Sequence, residues 1–530
     1  MGSDMRRRVT QRDALIALVA TLGVVVYVAV SAATYEVGFA LDDAWIHQAY
    51  ARNLAAHGEW AFLAGHASAA ATSPLYTLLL AAGHWLGVPI FVWTFALGAV
   101  TLSACGWFAA RLAERFFPAL KQIGLWTGLA TVLTWHLVWA AASGMETSLF
   151  CALLLGVTLL GVRGIDEAAH PMPRSLRALS GGAAGLAGAA LTATRPEGAG
   201  LVSLVGLAAA AVWPRNRDGW IDLTAWGAGL VAGWLLGMLP YALLNLDIAG
   251  SVLPDTASAK QAEYAPLLDL SIAERYARLL TPILAGAQLM LLPGIVVAVV
   301  AVIRRLHASR AEALLLLPLA WTVLDLSAYA LRLPASYQHG RYVIPALPPL
   351  VLYGVAGTLM IVRGSRRTMA RRVLSRSLAV SVAALFGVFW VVGAQAYGRD
   401  VRIIQSEMVA TAKWVEANIP PDVTLAAHDI GALGYYAPHP LVDLAGLVTP
   451  DVVPIIRDDA ALMDLMCTRD ARYLVALPSQ IPADPDDPRL GDAPVFVTDA
   501  PYARAEGQGN MAVYALHWPA ACGAGELGRP

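Results

Sequence analysis

The sequence predicts an all-α polytopic membrane protein that carries a C-terminal α/β domain outside the cytoplasm. Of its 530 residues, 58% are hydrophobic and 14% are charged, whereas soluble globular proteins average about 45–50% and 25%. The bias is uneven, because residues 12–397 form a series of apolar runs and residues 398–530 have the charge and proline content of a soluble domain. Basic residues are also concentrated in alternate connections between the runs. We therefore expect a membrane domain over 1–397 and an extracytoplasmic domain over 398–530.

The first apolar run covers residues 14–33 and follows the three arginines at 6–8. Its length of about 20 residues is enough to cross the hydrocarbon core, and it is long for the apolar core of a signal peptide. The Ser-Ala-Ala tripeptide at 31–33 is similar to a signal-peptidase site, so a cleaved signal is the alternative. We favour an uncleaved signal-anchor helix, because polar residues with catalytic potential follow almost at once.

Ten further apolar runs are interpreted as transmembrane helices. They lie near residues 88–110, 122–142, 145–163, 178–194, 197–213, 221–246, 279–303, 312–332, 342–363 and 376–397. The run over 73–87 has only about 15 residues, below the roughly 17 that a span requires. We expect this run to form a re-entrant or interfacial helix, so the sequence predicts eleven spans.

The charges of the loops give this topology an orientation. With the N-terminus in the cytoplasm, the predicted cytoplasmic segments carry 21 basic residues, as the positive-inside rule requires. The opposite side of the membrane domain carries seven, namely Arg52, Arg195, Lys260, Arg275, Arg278, Arg332 and Arg341. Counting 73–87 as a span would invert every later loop. The composition, rich in Ala, Gly and Arg, is typical of GC-rich bacteria, so we expect a multi-pass protein of the bacterial inner (plasma) membrane.

The C-terminal region reads as an ordinary α/β domain. Strands are predicted near residues 423–427, 473–477, 495–498 and 511–516. Asp429 and Asp443 are interpreted as turn caps, with a platform for an acceptor glycan as the alternative. Cys467 and Cys522 lie in this domain, and in an oxidising compartment they could form a disulfide. Two unpaired thiols are the alternative that the sequence leaves open.

Five polar clusters fall at or near the predicted outer face, where charges usually face a cavity or a partner. The first is Asp42-Asp43, which opens an amphipathic helix in the first outer loop, residues 35–87. Adjacent carboxylates repel each other, which raises the pKa of one of them and suits a general base. Capping of that helix by the acidic pair is the equally supported alternative.

The other four clusters supply the remaining candidate residues. They are the GMET segment with Glu146, the TRPEG segment with Arg195 and Glu197, the LPDT…AK segment with Asp255 and Lys260, and the HGRY segment with His339, Arg341 and Tyr342. Arginine binds phosphate bidentately and lysine adds a point charge, so Arg195, Lys260 and Arg341 are candidates for a phosphate clamp. A buried structural Arg195–Glu197 pair and interfacial snorkelling are the alternatives.

Several other chemistries receive no support from the sequence. The spacing of His47, His57 and His66 matches no closed metal site, and no P-loop, GxSxG or nucleotide fingerprint occurs in a confirming context. We therefore expect no cofactor and no histidine-bound metal, while a divalent cation is left open without being indicated by the sequence. A polytopic lipid or glycan transporter or flippase is the main rival, but it predicts charges near the midplane and internal repeats. A structural or assembly protein is the second rival, and near-neutral net charge gives no reason to expect nucleic acid.

Taken in order, the five clusters resemble the motifs of bacterial C-superfamily glycosyltransferases (GT-C). The likeness is greatest to the mycobacterial terminal arabinofuranosyltransferases of the cell wall and their bacterial relatives, in which the fourth motif usually reads LPNT rather than LPDT. This chain is shorter and its outer domain smaller, so the identities of the sugar and the acceptor do not carry over.

The resemblance implies an inverting transfer of a sugar from a polyprenyl-phosphate donor to a hydroxyl of a cell-envelope glycan or lipid, without a nucleotide. It implies that Asp43, or else Asp42, deprotonates the acceptor hydroxyl. The donor phosphate would be held by Arg341, Arg195 and Lys260. The residues implied to orient these groups are Glu146, Glu197, His339, Asp255 and Tyr342.

Overall fold

The computed structural model describes residues 3–167, 170–252, 256–307, 309–364, 368–484, 487–519 and 522. The chain divides into two compact units, each built from three separate segments. The helical unit comprises Met1–Tyr27, Thr94–Leu243 and Leu267–Gln395, and the mixed unit comprises Val28–Trp93, Leu244–Pro266 and Ala396–Pro530. The segments 28–93 and 244–266, which contain two of the predicted outer loops, are therefore grouped with the C-terminal region. The boundary predicted at residue 397 stays a prediction.

Helices dominate the described part of the chain. In order they are α1 (Ser3–Thr34), α2 (Asp43–His57), α3 (Pro74–Trp85), α4 (Ile90–Phe116), α5 (Ile123–Leu133), α6 (Trp135–Ala142), α7 (Thr147–Asp166), α8 (Arg174–Thr192), α9 (Gly198–Val212), α10 (Arg217–Ala249) and α11 (Thr256–Glu263). They continue with α12 (Ile272–Leu284), α13 (Gln288–Leu306), α14 (Leu317–Arg332), α15 (Tyr337–Gly340), α16 (Leu347–Gly364), α17 (Met369–Ile404), α18 (Ala410–Asn418), α19 (Gly431–Tyr436), α20 (Asp459–Thr468) and α21 (Pro501–Ala505).

Many of these helices are long and apolar enough to cross a membrane. Within the described ranges, eight helical segments qualify, starting with α1, α4, α7, α10 and α13 and ending with the segments that contain α14, α16 and α17. The pair α5–α6, bent by 56°, would be a ninth. Helix α9 is shorter, and α8 is not among those that qualify. The polytopic membrane fold is thus confirmed, while the count of eleven spans and their orientation stay predictions.

Two predicted runs have internal breaks that apolarity alone did not reveal. The run over 279–303 contains the end of α12 at Leu284 and the start of α13 at Gln288. A capping box of Ser271 and Glu274 starts α12 well before the run, and Pro282 lies in its last turn. The run over 122–142 bends between α5 and α6. Helix α3, over the run that is too short to span, has 12 residues.

Small residues allow α8 and α10 to pack closely in the helical unit. A Cβ at Gly181 would lie 2.0 Å from the carbonyl oxygen of Trp226, and one at Gly185 would lie 2.1 Å from that of Leu230. Any side chain there would force the two backbones apart, as at other small-residue helix contacts in membranes. The Ala/Gly richness around the TRPEG segment therefore serves helix packing.

The mixed unit contains a two-stranded hairpin and a five-stranded sheet. The hairpin is β1 (Ala61–Leu63) and β2 (His66–Ala67), and the sheet strands are β3 (Leu425–Ala427), β4 (Leu441–Asp443), β5 (Tyr473–Ala476), β6 (Phe496–Val497) and β7 (Ala512–Ala515). The sheet order is β4-β3-β5-β7-β6, with β3 parallel to β4 and β5, and β7 antiparallel to β5 and β6. The predicted α/β character is confirmed, and all four predicted strands occur. Strand β4 was not predicted, because it directly follows a proline and its residues have no alternating pattern of their own.

One face of the sheet is covered by a helix that a disulfide anchors. Leu462 and Met463 of α20 pack with Val442 and Leu474 of β4 and β5 in a buried core. Cys467, near the end of α20, is bonded to Cys522, with 5.6 Å between their Cα atoms. Of the two alternatives that the sequence left open, pairing is the one found.

Candidate active site

The acidic pair lies at the N-terminus of α2, in the mixed unit. Asp43 is the first residue of α2, and the side chain of Asp42, at the N-cap position, makes no capping bond to that helix. The two carboxylate oxygens of Asp42 instead accept hydrogen bonds from the backbone N–H groups of Gly431 (2.6 Å) and Ala432 (2.9 Å). Asp42 therefore caps a helix, but the helix is α19, far along the chain.

The opposite end of α19 receives a positive charge from the same helix α2. The guanidinium of Arg52 donates to the carbonyl oxygens of Gly434, at 3.1 Å, and of Tyr435. An anion at the N-terminus and a cation at the C-terminus both complement a helix dipole. A Cβ at Gly431 would lie 2.1 Å from the carbonyl oxygen of Asp42, so only glycine fits. The Asp42 and Arg52 contacts thus fix α19 against α2.

The two carboxylates of the pair differ in environment. Burial raises the pKa of Asp42 to about 7, an effect to which the charges of Asp429 and Asp43 add and which the two backbone N–H bonds oppose. The Asp42 side chain is 8% exposed, whereas Asp43 is half-buried. Asp42 is thus engaged by α19, and Asp43 is the more exposed carboxylate of the two.

The titration of Asp42 has an expected consequence for stability. Because its pKa in the folded protein is raised from the ordinary value of about 4 to about 7, folding favours the protonated form. Its contribution is therefore full below pH about 4 and is lost as the pH rises through about 7. We expect Asp42→Asn, which stays neutral, to show a flatter dependence of the thermal midpoint on pH between 4 and 8.

The matched control is Asp459→Asn, which removes an exposed carboxylate in the first turn of α20. It should keep the pH slope of the unsubstituted protein. Identical slopes for Asp42→Asn and the unsubstituted protein would contradict the assignment.

Lys260 lies on α11 and belongs to a chain of alternating charges in the mixed unit. Its Nζ is 3.1 Å from a carboxylate oxygen of Glu263. The other oxygen of Glu263 is 3.6 Å from Nε2 of His428, and Nδ1 of His428 is 3.4 Å from Asp429. Asp429 in turn influences Asp42 electrostatically. The first and fourth motifs are therefore linked, while Asp255 of the fourth motif lies outside the described residues.

In the helical unit, Arg195 is surrounded by acidic and phenolic groups. It donates to the hydroxyl of Tyr329 at 2.7 Å and to Glu197 at 3.3 Å, and its Nε is 3.8 Å from Glu146. The Tyr329 hydroxyl also bonds to Glu197. Asp325, buried in α14, lies close enough to Arg195 to influence it electrostatically. The structure therefore contains the buried Arg195–Glu197 pair that was the alternative to phosphate binding.

Tyr342 connects this cluster to Arg341. The Arg341 guanidinium lies 5.0 Å from the centroid of the Tyr342 ring and donates to its hydroxyl at 3.2 Å. The Arg195 guanidinium lies 5.8 Å from the same ring, which also stacks on Tyr329 at 5.5 Å. A second tyrosine, Tyr337, bonds to the Tyr342 hydroxyl at 2.8 Å. The TRPEG and HGRY motifs thus meet at one aromatic ring, and the GMET motif joins them through the contact of Glu146 with Arg195.

The HGRY motif begins inside an unusual turn. Gln338, His339 and Gly340 have φ of 52°, 59° and 70°, a left-handed conformation that disfavours side chains other than hydrogen. The His339 ring meets Trp135 and Trp139 edge-on, with centroids 5.2 and 5.1 Å apart. Strained backbone of this kind often accompanies functional sites. In this protein the left-handed turn directly precedes Arg341, and the apolar helix α16 begins six residues later at Leu347.

Some residues of these clusters escaped the sequence interpretation. Asp325 is a single charge within an apolar run, a signal that usually marks a functional or paired residue in membranes. Glu263 and His428 carried no comparable signal, because they lie in different segments and only folding brings them together. Asp429, interpreted as a turn cap, bonds to Gln480 and His428 instead. Asp443 does cap a turn, accepting N–H bonds from Ala445 and Val448.

Over the described ranges, no group of three or more His, Cys, Asp or Glu residues has an arrangement suited to a metal ion. The expectation that no metal takes part stays a prediction.

Sequence comparison gives little information beyond one region. A family described as a domain of unknown function (DUF8728) matches residues 396–517, which include the sheet. No curated protein matches the chain significantly.

Comparison of folds is more informative. ArnT from Cupriavidus metallidurans, solved with undecaprenyl phosphate, matches at a TM-score of 0.53 and 14% identity, over 97% of this chain and 99% of ArnT. The archaeal oligosaccharyltransferase AglB from Archaeoglobus fulgidus, solved with an inhibitory peptide and a dolichol-phosphate, matches at 0.61 and 11%, over 90% of this chain and 70% of AglB.

The arabinofuranosyltransferase AftD from Mycobacteria matches at a TM-score of 0.50 and 16% identity, over 95% of this chain and 40% of AftD. Identities this low show a shared fold. The fold that the motif resemblance implied is therefore the fold found.

Proposed function

We propose that the protein is an integral-membrane glycosyltransferase that moves a sugar from a polyprenyl-phosphate donor to an acceptor hydroxyl of the cell envelope. The observation that carries the proposal is that Arg341 and Arg195, from two different motifs, lie against the same Tyr342 ring, with Glu146 of a third motif beside Arg195. The fold adds support, since ArnT and AglB were solved with undecaprenyl phosphate and a dolichol-phosphate.

The proposed reaction needs one base and a site for phosphate. The acceptor oxygen attacks the anomeric carbon, its proton passes to Asp43, and the bond from that carbon to the phosphate oxygen breaks to release polyprenyl phosphate. Because a phosphate is a stable leaving group, no general acid is needed, in contrast to glycosidases that use two carboxylates. Attack from the side opposite the phosphate would invert the anomeric carbon. No metal or nucleotide enters the proposed scheme.

Arg341 and Lys260 are the proposed phosphate contacts. Arg341 is 7% exposed and lies against two tyrosine rings, so its guanidinium is held in a fixed orientation suited to bidentate binding. Arg195 is already engaged by Glu197 and Glu146. We therefore propose that Arg195 mainly positions Tyr342 and, through it, Arg341.

The proposed site works at the outer face of a bacterial plasma membrane, with the N-terminus in the cytoplasm. The Cys467–Cys522 disulfide supports this placement of the C-terminal region, because such bonds persist in oxidising compartments.

The test is direct assay of the purified full-length protein in lipid nanodiscs. It would be incubated with a panel of polyprenyl-phosphate sugars, each radiolabelled in the sugar, together with cell-envelope glycan or lipid acceptors. We expect one donor to give equal amounts of labelled product and free polyprenyl phosphate, with EDTA having no effect. If no donor is cleaved, while proteoliposomes carry an intact lipid-linked sugar across the bilayer, the protein is a flippase and the proposal is wrong.

A further inference from the structure

The carboxyl ends of the three parallel strands form an edge with a concentration of polar side chains. His428 and Asp429 directly follow β3, Asp443 ends β4, and Gln480 lies four residues beyond β5. The sheet order β4-β3-β5 places the reversal of strand order between β3 and β5. In open α/β sheets, the crevice at this position is the usual place for binding. In this protein a hydrogen bond crosses the crevice, because Gln480, which follows β5, donates to Asp429, which follows β3, at 2.8 Å.

Helix α11 is docked at the same edge, although it comes from a distant outer loop. Ala259 and Thr256 of α11 are buried, and the methyl group of Ala259 is 3.6 Å from the Cβ position of Gly446, just beyond β4. Glu263, the last residue of α11, reaches Nε2 of His428 at 3.6 Å. One side of α11 is therefore fixed by apolar contact, and its C-terminal end is fixed by an ionic contact.

We propose that His428 is a positioning residue, which joins α11 to the strand edge through Glu263 and Asp429 and so fixes Lys260 where the donor phosphate binds. This inference rests on the proposed function, because it assumes that Lys260 contacts the phosphate. Lys260 and Glu263 are one helical turn apart, with 3.1 Å between their charged atoms. A displacement of Glu263 therefore displaces Lys260 as well.

The contacts of His428 with Glu263 and Asp429 form a link that stays charged at neutral pH. Burial by itself lowers the pKa of His428, but bonds to Asp429 and Glu263 outweigh burial and raise the pKa to about 10. Burial likewise opposes ionisation of Glu263, yet His428 and Lys260 lower its pKa to about 2. Asp443 is the further charged group that faces His428. The link thus persists from about pH 2 to about pH 10, and it is lost as the pH rises through the higher value or falls through the lower.

Two variants break the link from opposite sides. His428→Gln removes the cation, and Glu263→Gln removes the anion while leaving the contacts of His428 with Asp429 and Gln480. Loss of a charge-assisted hydrogen bond corresponds to roughly a tenfold effect or more. We expect either variant to raise the donor KM about tenfold with kcat nearly unchanged, and the double variant to do no more than either single one. The matched controls are His517→Gln and Glu416→Gln, at exposed positions of the same unit.

Hydrogen–deuterium exchange measured without donor reports whether α11 is held in place, independently of any effect on sugar transfer. In nanodiscs, the peptide covering residues 256–263 should exchange about tenfold faster in both link variants than in the unsubstituted protein or the controls. Unchanged exchange together with unchanged KM overturns the inference, even if transfer is observed. Faster exchange in a protein that cleaves no donor overturns the proposed function instead.

Discussion

Asp43→Asn is expected to lower kcat for sugar transfer by about 10²–10⁴-fold, which is the usual contribution of a general base. Asparagine has nearly the same shape as aspartate but cannot accept the proton of the acceptor hydroxyl at neutral pH. Asp43 is the first residue of α2 and makes no part of the cap on α19. The substitution should therefore leave the cap on α19 intact.

Asp42→Asn provides the comparison that separates chemistry from structure. Asp42 uses both carboxylate oxygens to cap α19, and an amide can accept with only one of its two terminal atoms. We expect this variant to reduce kcat far less than Asp43→Asn. Asp459→Asn, at an exposed position, should not alter transfer. If Asp43→Asn kept full activity and Asp42→Asn lost it, the roles of the two carboxylates would be reversed.

The membrane helices could be predicted from the sequence because their signal is local. An apolar run of about 20 residues must satisfy its backbone bonds within itself in a bilayer, so length and hydropathy suffice to identify it. The same reasoning could not place the break between Leu284 and Gln288, since that stretch stays apolar throughout. It also could not predict β4, which directly follows a proline.

The contacts among the polar clusters could not be predicted from the sequence, because they join segments far apart in the chain. Sequence position and charge indicated that Asp42 caps a helix or serves catalysis, but they did not reveal α19 as the partner, whose N–H groups lie 389 residues away. The pairing of Glu263 with His428 depends equally on tertiary structure. Resemblance to known motifs identified the polar segments and their order. Only the folded chain shows which of them meet.

Substitution of Arg195 distinguishes a structural role of this residue from a phosphate-binding role. Its guanidinium lies among Glu197, Glu146 and Tyr329, with Asp325 nearby. Removing one partner of a buried ion pair typically costs about 3–5 kcal/mol, because the remaining charges stay desolvated without compensation. We therefore expect Arg195→Met to lower the thermal midpoint of the purified protein by several degrees, with a loss of folded protein in the membrane.

Two further variants make this result interpretable. Arg332→Met, which removes an exposed arginine from the end of α14, should leave the midpoint unchanged. Adding Glu197→Gln to Arg195→Met should restore part of the lost stability, because one of the uncompensated carboxylates becomes neutral. An Arg195→Met protein with an unchanged midpoint and a strongly raised donor KM would instead make Arg195 a direct phosphate contact. The ion pairs around it would then have to open when the donor binds, since one guanidinium cannot serve the carboxylates and a phosphate with the same bonds.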